Sequence, residues 1–183
     1  ISCALSDKLP GDKTITGNTV KIYGDKRMRE RPIKELVKAL NLLGAKIKDT
    51  KGYPPITVYP QKPQGGKIHL PGNISSQYLS AILMIACCLD RTTTINIDQK
   101  LYSKPYIDMT IKMAKNFGIK IKNKNFEQFI IQPQKITAPK VYKVESDTSS
   151  ASYPAAYSAL HPQKSVLLID IKKDSLQGDI KFL

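Results

Sequence analysis

Between residues 31 and 43 the apolar positions fall at spacings of three and four: Ile33, Leu36, Val37, Leu40 and Leu43 share one face. That stripe predicts an amphipathic helix with one buried side, and Gly44 supplies the left-handed residue that ends it. A second helix of this kind is predicted over 105–117, with Ile107, Ile111, Ala114 and Phe117 inward and Gly118 as its stop. A third differs. From Leu79 to Leu89 the chain is apolar all round apart from Ser80, which predicts a helix enclosed by other elements. Short runs rich in branched residues predict strands at 19–22 (TVKI), 67–70 (KIHL), 94–97 (TINI), 141–144 (VYKV) and 168–171 (LIDI).

The pattern also repeats. "LPGNISSQYLSAILMIA" (70–86) lies over "VESDTSSASYPAAYSAL" (144–160), so that Ser75 and Ser76 meet Ser149 and Ser150 at an offset of 74 residues. At the same offset "LGAKIKD" (43–49) meets "FGIKIKN" (117–123), with Gly44 over Gly118. Each unit reads strand, loop, helix, strand, strand, strand, helix, and the next unit opens with the following strand. The expected fold class is therefore α/β, with repeated βαβαββ units packed about a common axis, about two and a half of them present. A domain boundary is expected near Glu145, after the turn-rich "QPQKITAPK", dividing 1–144 from 145–183.

Composition narrows the class. The chain has 183 residues, 41% of them apolar, and nothing approaches the ~18 consecutive apolar residues of a membrane span. Of three cysteines, Cys87 and Cys88 are neighbours, which rules out a disulfide framework, and no signal peptide precedes Ile1. A soluble, cytoplasmic setting is expected. An apolar opening without an initiating Met and an end in mid-pattern predict a piece of a longer polypeptide. The net charge of +14 suits nucleic acid, anionic membrane or small acidic substrates alike. Many of the lysines lie in alternating stretches such as "IKIKNKN", which fits the solvated face of a strand or turn.

Candidate chemistry gathers at helix starts. Ser75, Ser76 and Gln77 open the enclosed helix, where unpaired N–H groups and the positive end of the dipole favour an anion. Serine is also a good N-cap, so a purely structural role stands beside the functional one. "GDKRMRERPIKEL" puts Lys26, Arg27, Arg29 and Arg31 ahead of the 31–43 helix, either as a phosphate or carboxylate clamp or as an exposed loop paired with Glu30 or Glu35. The equivalent connection of the next unit, "LYSKPYIDM", holds Ser103, Lys104 and Tyr106. There is no P-loop and no dinucleotide fingerprint, and His69 and His161 make no zinc or triad pattern.

"RMRERPI", "YPP", "SSQYLSAILM", "SKPYIDMT", "FGI", "ESDTSSASYPAA" and "LQGD", in this order and spacing, resemble the 5-enolpyruvylshikimate-3-phosphate (EPSP) synthase family, the 3-phosphoshikimate 1-carboxyvinyltransferases. "SSQYLSAILM" and "ESDTSSASYP" look closest to the form inside the fungal-type arom multifunctional polypeptide. The resemblance implies two similar domains, each of three βαβαββ units round a pseudo-threefold axis, an inside-out α/β barrel that would be incomplete in this chain. It implies transfer of the enolpyruvyl group of phosphoenolpyruvate to the 5-hydroxyl of shikimate 3-phosphate, in the shikimate pathway to chorismate and the aromatic amino acids, with no metal or organic cofactor. By resemblance, Ser75, Ser76, Gln77, Ser103 and Tyr106 would hold shikimate 3-phosphate. Arg27 and Gln77 would meet phosphoenolpyruvate, and Arg29 and Arg31 would support the loop. The family's acid–base groups belong to its second domain, so no catalytic residue is expected in this segment and the segment alone should be inactive. Ala86-Cys87-Cys88 replaces a common Ala-Pro. Alternatives are a related carboxyvinyltransferase acting on a UDP-sugar and a basic nucleic-acid-binding module. Scattered tyrosines and the absence of tryptophan argue against the latter, and neither nucleic acid nor membrane is an expected partner.

Overall fold

A computed structural model describes residues 19–182. The apolar opening lies outside the described residues. The chain runs β1 (Val20–Ile22), α1 (Lys26–Arg29), α2 (Lys34–Leu42), β2 (Lys46–Thr50), β3 (Tyr53–Tyr59), β4 (Gly66–Pro71), α3 (Ser76–Ala86), β5 (Thr93–Asp98), α4 (Lys104–Asn116), β6 (Lys122–Lys124), β7 (Gln128–Ile131) and α5 (Thr148–Leu160), closing on a 3-10 turn over Gly178–Phe182.

The duplication read from the sequence is present in the sheets. One has the order β1-β3-β2 and the other β4-β5-β7-β6, so that β5, β7 and β6 repeat β1, β3 and β2. All pairings are antiparallel except β4 with β5, which run parallel in register from Gly66 opposite Thr93 to Pro71 opposite Asp98. The last strand of the first unit thus joins the sheet of the second, with α3 as the crossover a parallel pair requires. Both helix stops adopt the left-handed backbone expected of them, with φ of 96° at Gly44 and 75° at Gly118.

α3 lies in the core. Leu79, Ile82 and Leu83 are fully buried, together with Leu43 after α2, Ile68 of β4, Ile95 of β5, Ile107 of α4 and Phe129 and Ile131 of β7. Each such side chain contributes about 1.5–3 kcal/mol relative to exposure. The enclosure is not complete, however. Met84 is 53% exposed and opens on an apolar groove of about 280 Å³ shared with Met109, Met113 and Phe117. The helix is apolar all round, but among the described residues nothing packs over that side.

Three sequence expectations need correction. The helix expected from residue 31 begins at Lys34, because Pro32 disfavours helical geometry at Arg31 and Ile33 takes the N-cap position. The arginine stretch is not a loop throughout: Asp25 accepts the Met28 N–H at 2.8 Å and caps the four-residue α1. The runs at 141–144 and 168–171 are not strands. They do lie side by side, through Ser146 N–H to the Asp170 carbonyl at 3.2 Å, but Val141, Val144 and Ile169 stay exposed. A lone pair of segments with no apolar face to bury does not sustain a ladder.

Candidate functional site

Because β4 and β5 are parallel, the helices that follow them start at the same edge of the sheet. The turn from β4 into α3 is pinned there by Gly72, whose N–H donates to the Asp98 carbonyl at 2.7 Å. A Cβ on Gly72 would sit 2.4 Å from the Lys100 carbonyl oxygen, so no larger residue permits this approach. The ends of β4 and β5 are thereby held together, and Ser75–Gln77 and Ser103–Tyr106 issue from adjacent turns. One turn further along, the Ser80 and Thr110 hydroxyls meet at 2.8 Å, and Thr110 donates to the Tyr106 carbonyl at 2.9 Å, locking α3 to α4.

Ser75 is the N-cap residue of α3, yet its hydroxyl makes no capping bond. The side chains of Ser76 and Gln77 likewise have no hydrogen-bond partner among the described residues. Ser103, half-buried at the N-cap of α4, also makes no capping bond, and Tyr106 is 52% exposed. The repeated copy is built differently. Asp147, the counterpart of Asn73, accepts from Ser149 N–H at 3.0 Å and from the Ser150 hydroxyl at 2.6 Å, while the Ser149 hydroxyl bonds Asp179. Those bonds, with the Ser150 hydroxyl foremost, hold the Asp147 carboxyl below the usual carboxylate range. Where the first copy has the exposed Gln77, the second has the buried Ala151. One serine pair is thus satisfied within the fold, and the hydroxyls of the other, with the Gln77 amide, have no hydrogen-bond partner among the described residues at the end of a helix where the dipole is positive.

Lys104 begins α4 at this edge, and Arg31 is tied to it through the neighbouring Pro32 carbonyl. Arg27 and Arg31 are exposed and pair with no acid among the described residues, since Glu35 engages Lys38 at 3.3 Å. The Arg29 Nε donates instead to the Gly24 carbonyl at 2.8 Å, which ties its guanidinium to the local fold. Lys104 leans over the Phe126 ring, 5.1 Å from its centre. The structure therefore brings Ser75, Ser76, Gln77, Ser103 and Tyr106 to one edge. Arg27 lies on a separate short helix, and its side chain makes no hydrogen bond to any of the five. What links the two groups is Tyr78, whose hydroxyl donates to the Pro32 carbonyl. Neither Tyr78 nor Gly72 was found from the sequence. A glycine just before a serine helix start is a legible signal for the second, whereas a bond spanning 46 residues leaves none for the first. Among the described residues no group of three or more His, Cys, Asp or Glu is arranged to hold a metal.

Residues 9–183 match the family described as EPSP synthase (3-phosphoshikimate 1-carboxyvinyltransferase). The 3-phosphoshikimate 1-carboxyvinyltransferase of Actinobacillus pleuropneumoniae serotype 3 is 42% identical over 173 residues, which cover 93% of this chain and 40% of the relative. Its counterpart from Buchnera aphidicola subsp. Baizongia pistaciae is 43% identical over 172 residues, covering 92% and 40%. Among solved structures, EPSP synthase from Acinetobacter baumannii superposes with a TM-score of 0.59 at 25% identity, over 74% of this chain and 29% of that one. The chain spans about 40% of the length of the curated relatives it matches.

Proposed function

The chain belongs to the EPSP synthase family, and from that premise we propose that it supplies the shikimate 3-phosphate side of the active site of a 3-phosphoshikimate 1-carboxyvinyltransferase. In that reaction the 5-hydroxyl of shikimate 3-phosphate attacks C2 of phosphoenolpyruvate as C3 takes up a proton. Phosphate then leaves from the tetrahedral adduct as C3 gives a proton back, yielding 5-enolpyruvylshikimate 3-phosphate. Ser75, Ser76 and Ser103 receive the sugar phosphate, Tyr106 lies along the same substrate, Gln77 reaches toward both ligands, and Arg27 meets the anionic groups of phosphoenolpyruvate.

The observation that carries this reading is the contrast between the two serine pairs. Hydroxyls that serve only as scaffold are satisfied within the fold, as Ser149 and Ser150 are. Those of Ser75 and Ser76, with the Gln77 amide, stand unused at the start of a core helix, where a phosphate gains both hydrogen bonds and the dipole. Arg27, which pairs with no acid among the described residues, adds the charge such substrates require.

Proton transfer at both steps needs acid–base groups, which this reading places in the remainder of the parent polypeptide, so the segment by itself binds weakly and does not turn over. We place the domain boundary near Glu145. The sparse burial after it supports this, with Thr148 and Ala151 the buried residues among those described. We further propose a cytoplasmic enzyme needing no metal or organic cofactor; among the described residues no helix is long and apolar enough to cross a membrane. An arom-type parent remains the finer proposal, although the relatives compared above are bacterial. The deciding experiment supplies the full parent polypeptide with shikimate 3-phosphate and phosphoenolpyruvate and follows phosphate release. Release that requires both substrates supports the proposal, and its absence from a folded parent overturns it.

A further inference from the structure

We propose that Tyr78 is a positioning residue that holds the arginine-bearing segment against the Ser75–Gln77 turn, and so sets how phosphoenolpyruvate meets the sugar phosphate. The inference rests on the function proposed above and adds to it a residue that touches neither substrate.

Tyr78 follows Gln77 directly in the first turn of α3. Its ring is half-buried against the core, and its hydroxyl crosses to the carbonyl of Pro32, 46 residues earlier. That carbonyl has no place in a helix ladder: α2 begins at Lys34, and its first backbone acceptor is Ile33, which takes the Val37 N–H at 3.1 Å. Pro32 fixes its own φ and restricts Arg31, which sets the direction of the acceptor. The carbonyl is therefore free of the helix ladder and accepts the Tyr78 hydroxyl from across the fold.

Every other bond that shapes the arginine segment is local or faces the first sheet. Asp25 caps Met28, Arg29 reaches back to Gly24, and the Ile33 N–H donates to the Gly52 carbonyl at 2.8 Å. None of these reaches α3 or α4. Among the described residues, the Tyr78 hydroxyl is therefore the hydrogen bond that ties the cations to the serine turn. The serine turn does not depend on it in return, being fixed by Gly72 to Asp98 and by Ser80 to Thr110. Loss of the hydroxyl accordingly loosens one half-site and spares the other. The substrate that touches the cations suffers, and the one held by the serines does not.

Tyr78→Phe in the parent polypeptide keeps the packed ring and removes one oxygen, so the fold is retained. Shikimate 3-phosphate binding, measured by calorimetry, is expected to stay within about twofold, while KM for phosphoenolpyruvate rises roughly three- to tenfold, the value of one hydrogen bond. Unchanged KM overturns the proposal. So does a fall in affinity for both substrates together with a lower melting temperature, which marks general structural support. Ser75→Ala with Ser76→Ala serves as the parallel control. Loss of sugar-phosphate binding in that variant keeps the functional reading standing whatever Tyr78→Phe does, and its retention removes that reading first.

Discussion

Gly72→Ala tests whether the fold places the site as described. The added Cβ would lie 2.4 Å from the Lys100 carbonyl oxygen, 2.8 Å from its carbon and 2.9 Å from the Asp98 oxygen. Comfortable separation begins near ~3.5 Å, so the turn into α3 must retreat by roughly 1 Å. All three obstructing atoms are backbone, and none can swing aside. Retreat also breaks the 2.7 Å bond from Gly72 N–H to Asp98. Overpacking of this kind costs about 1–3 kcal/mol and the lost bond about 0.5–1.5, so a loss of about 2–4 kcal/mol is expected in denaturant unfolding. The functional effect is larger in proportion, because Ser75–Gln77 move with the turn while Ser103 stays with β5. A misplacement of about 1 Å lowers turnover on the order of a hundredfold. Gly178→Ala, where a Cβ meets nothing within 4 Å, is the control and stays within about 0.5 kcal/mol of the parent. Both glycine variants are made in the parent polypeptide and compared by unfolding and by calorimetry with shikimate 3-phosphate. A Gly72→Ala protein of unchanged stability and affinity would refute the claim that this approach of backbones fixes the site.

Two further outcomes follow from the geometry. Arg27→Ala in the parent removes a cation that pairs with no acid among the described residues, and KM for phosphoenolpyruvate is expected to rise by one to two orders of magnitude, about the value of a charge-assisted hydrogen bond, with shikimate 3-phosphate binding kept. For Asp147, whose folded pKa is lowered, the stabilisation is present above the unfolded value and is lost as pH falls through the folded one. Protection of the amides at the start of α5, taken relative to their intrinsic exchange rates, should therefore fall below about pH 3.9, and Asp147→Asn should abolish that dependence.

What the sequence disclosed follows the range of the interactions involved. The helix stops at Gly44 and Gly118 were legible because a left-handed glycine after an amphipathic stripe is a local signal, and both have positive φ. The repeat was legible because duplicated units keep their apolar spacing, and β5, β7 and β6 reproduce the order of β1, β3 and β2. The core position of α3 could be read from its composition, except on the Met84 side, where burial depends on what packs there rather than on the residue. α1 escaped notice because four residues carry no periodicity and its formation turns on one cap from Asp25. The segments at 141–144 and 168–171 have strand composition but lack partners, and pairing is not a property of a segment alone. At the site, the residue types and their helix-start positions were evident. The satisfaction of one serine pair and not the other was not, since it depends on Asp147 and on Asp179, 30 residues away from Ser149.

The most direct test of the central claim is calorimetry of shikimate 3-phosphate with the parent polypeptide carrying Ser75→Ala and Ser76→Ala together. If these hydroxyls receive the sugar phosphate, the variant folds, since neither makes a capping bond, and its affinity falls by at least about tenfold. Affinity equal to that of the unaltered parent would contradict the account.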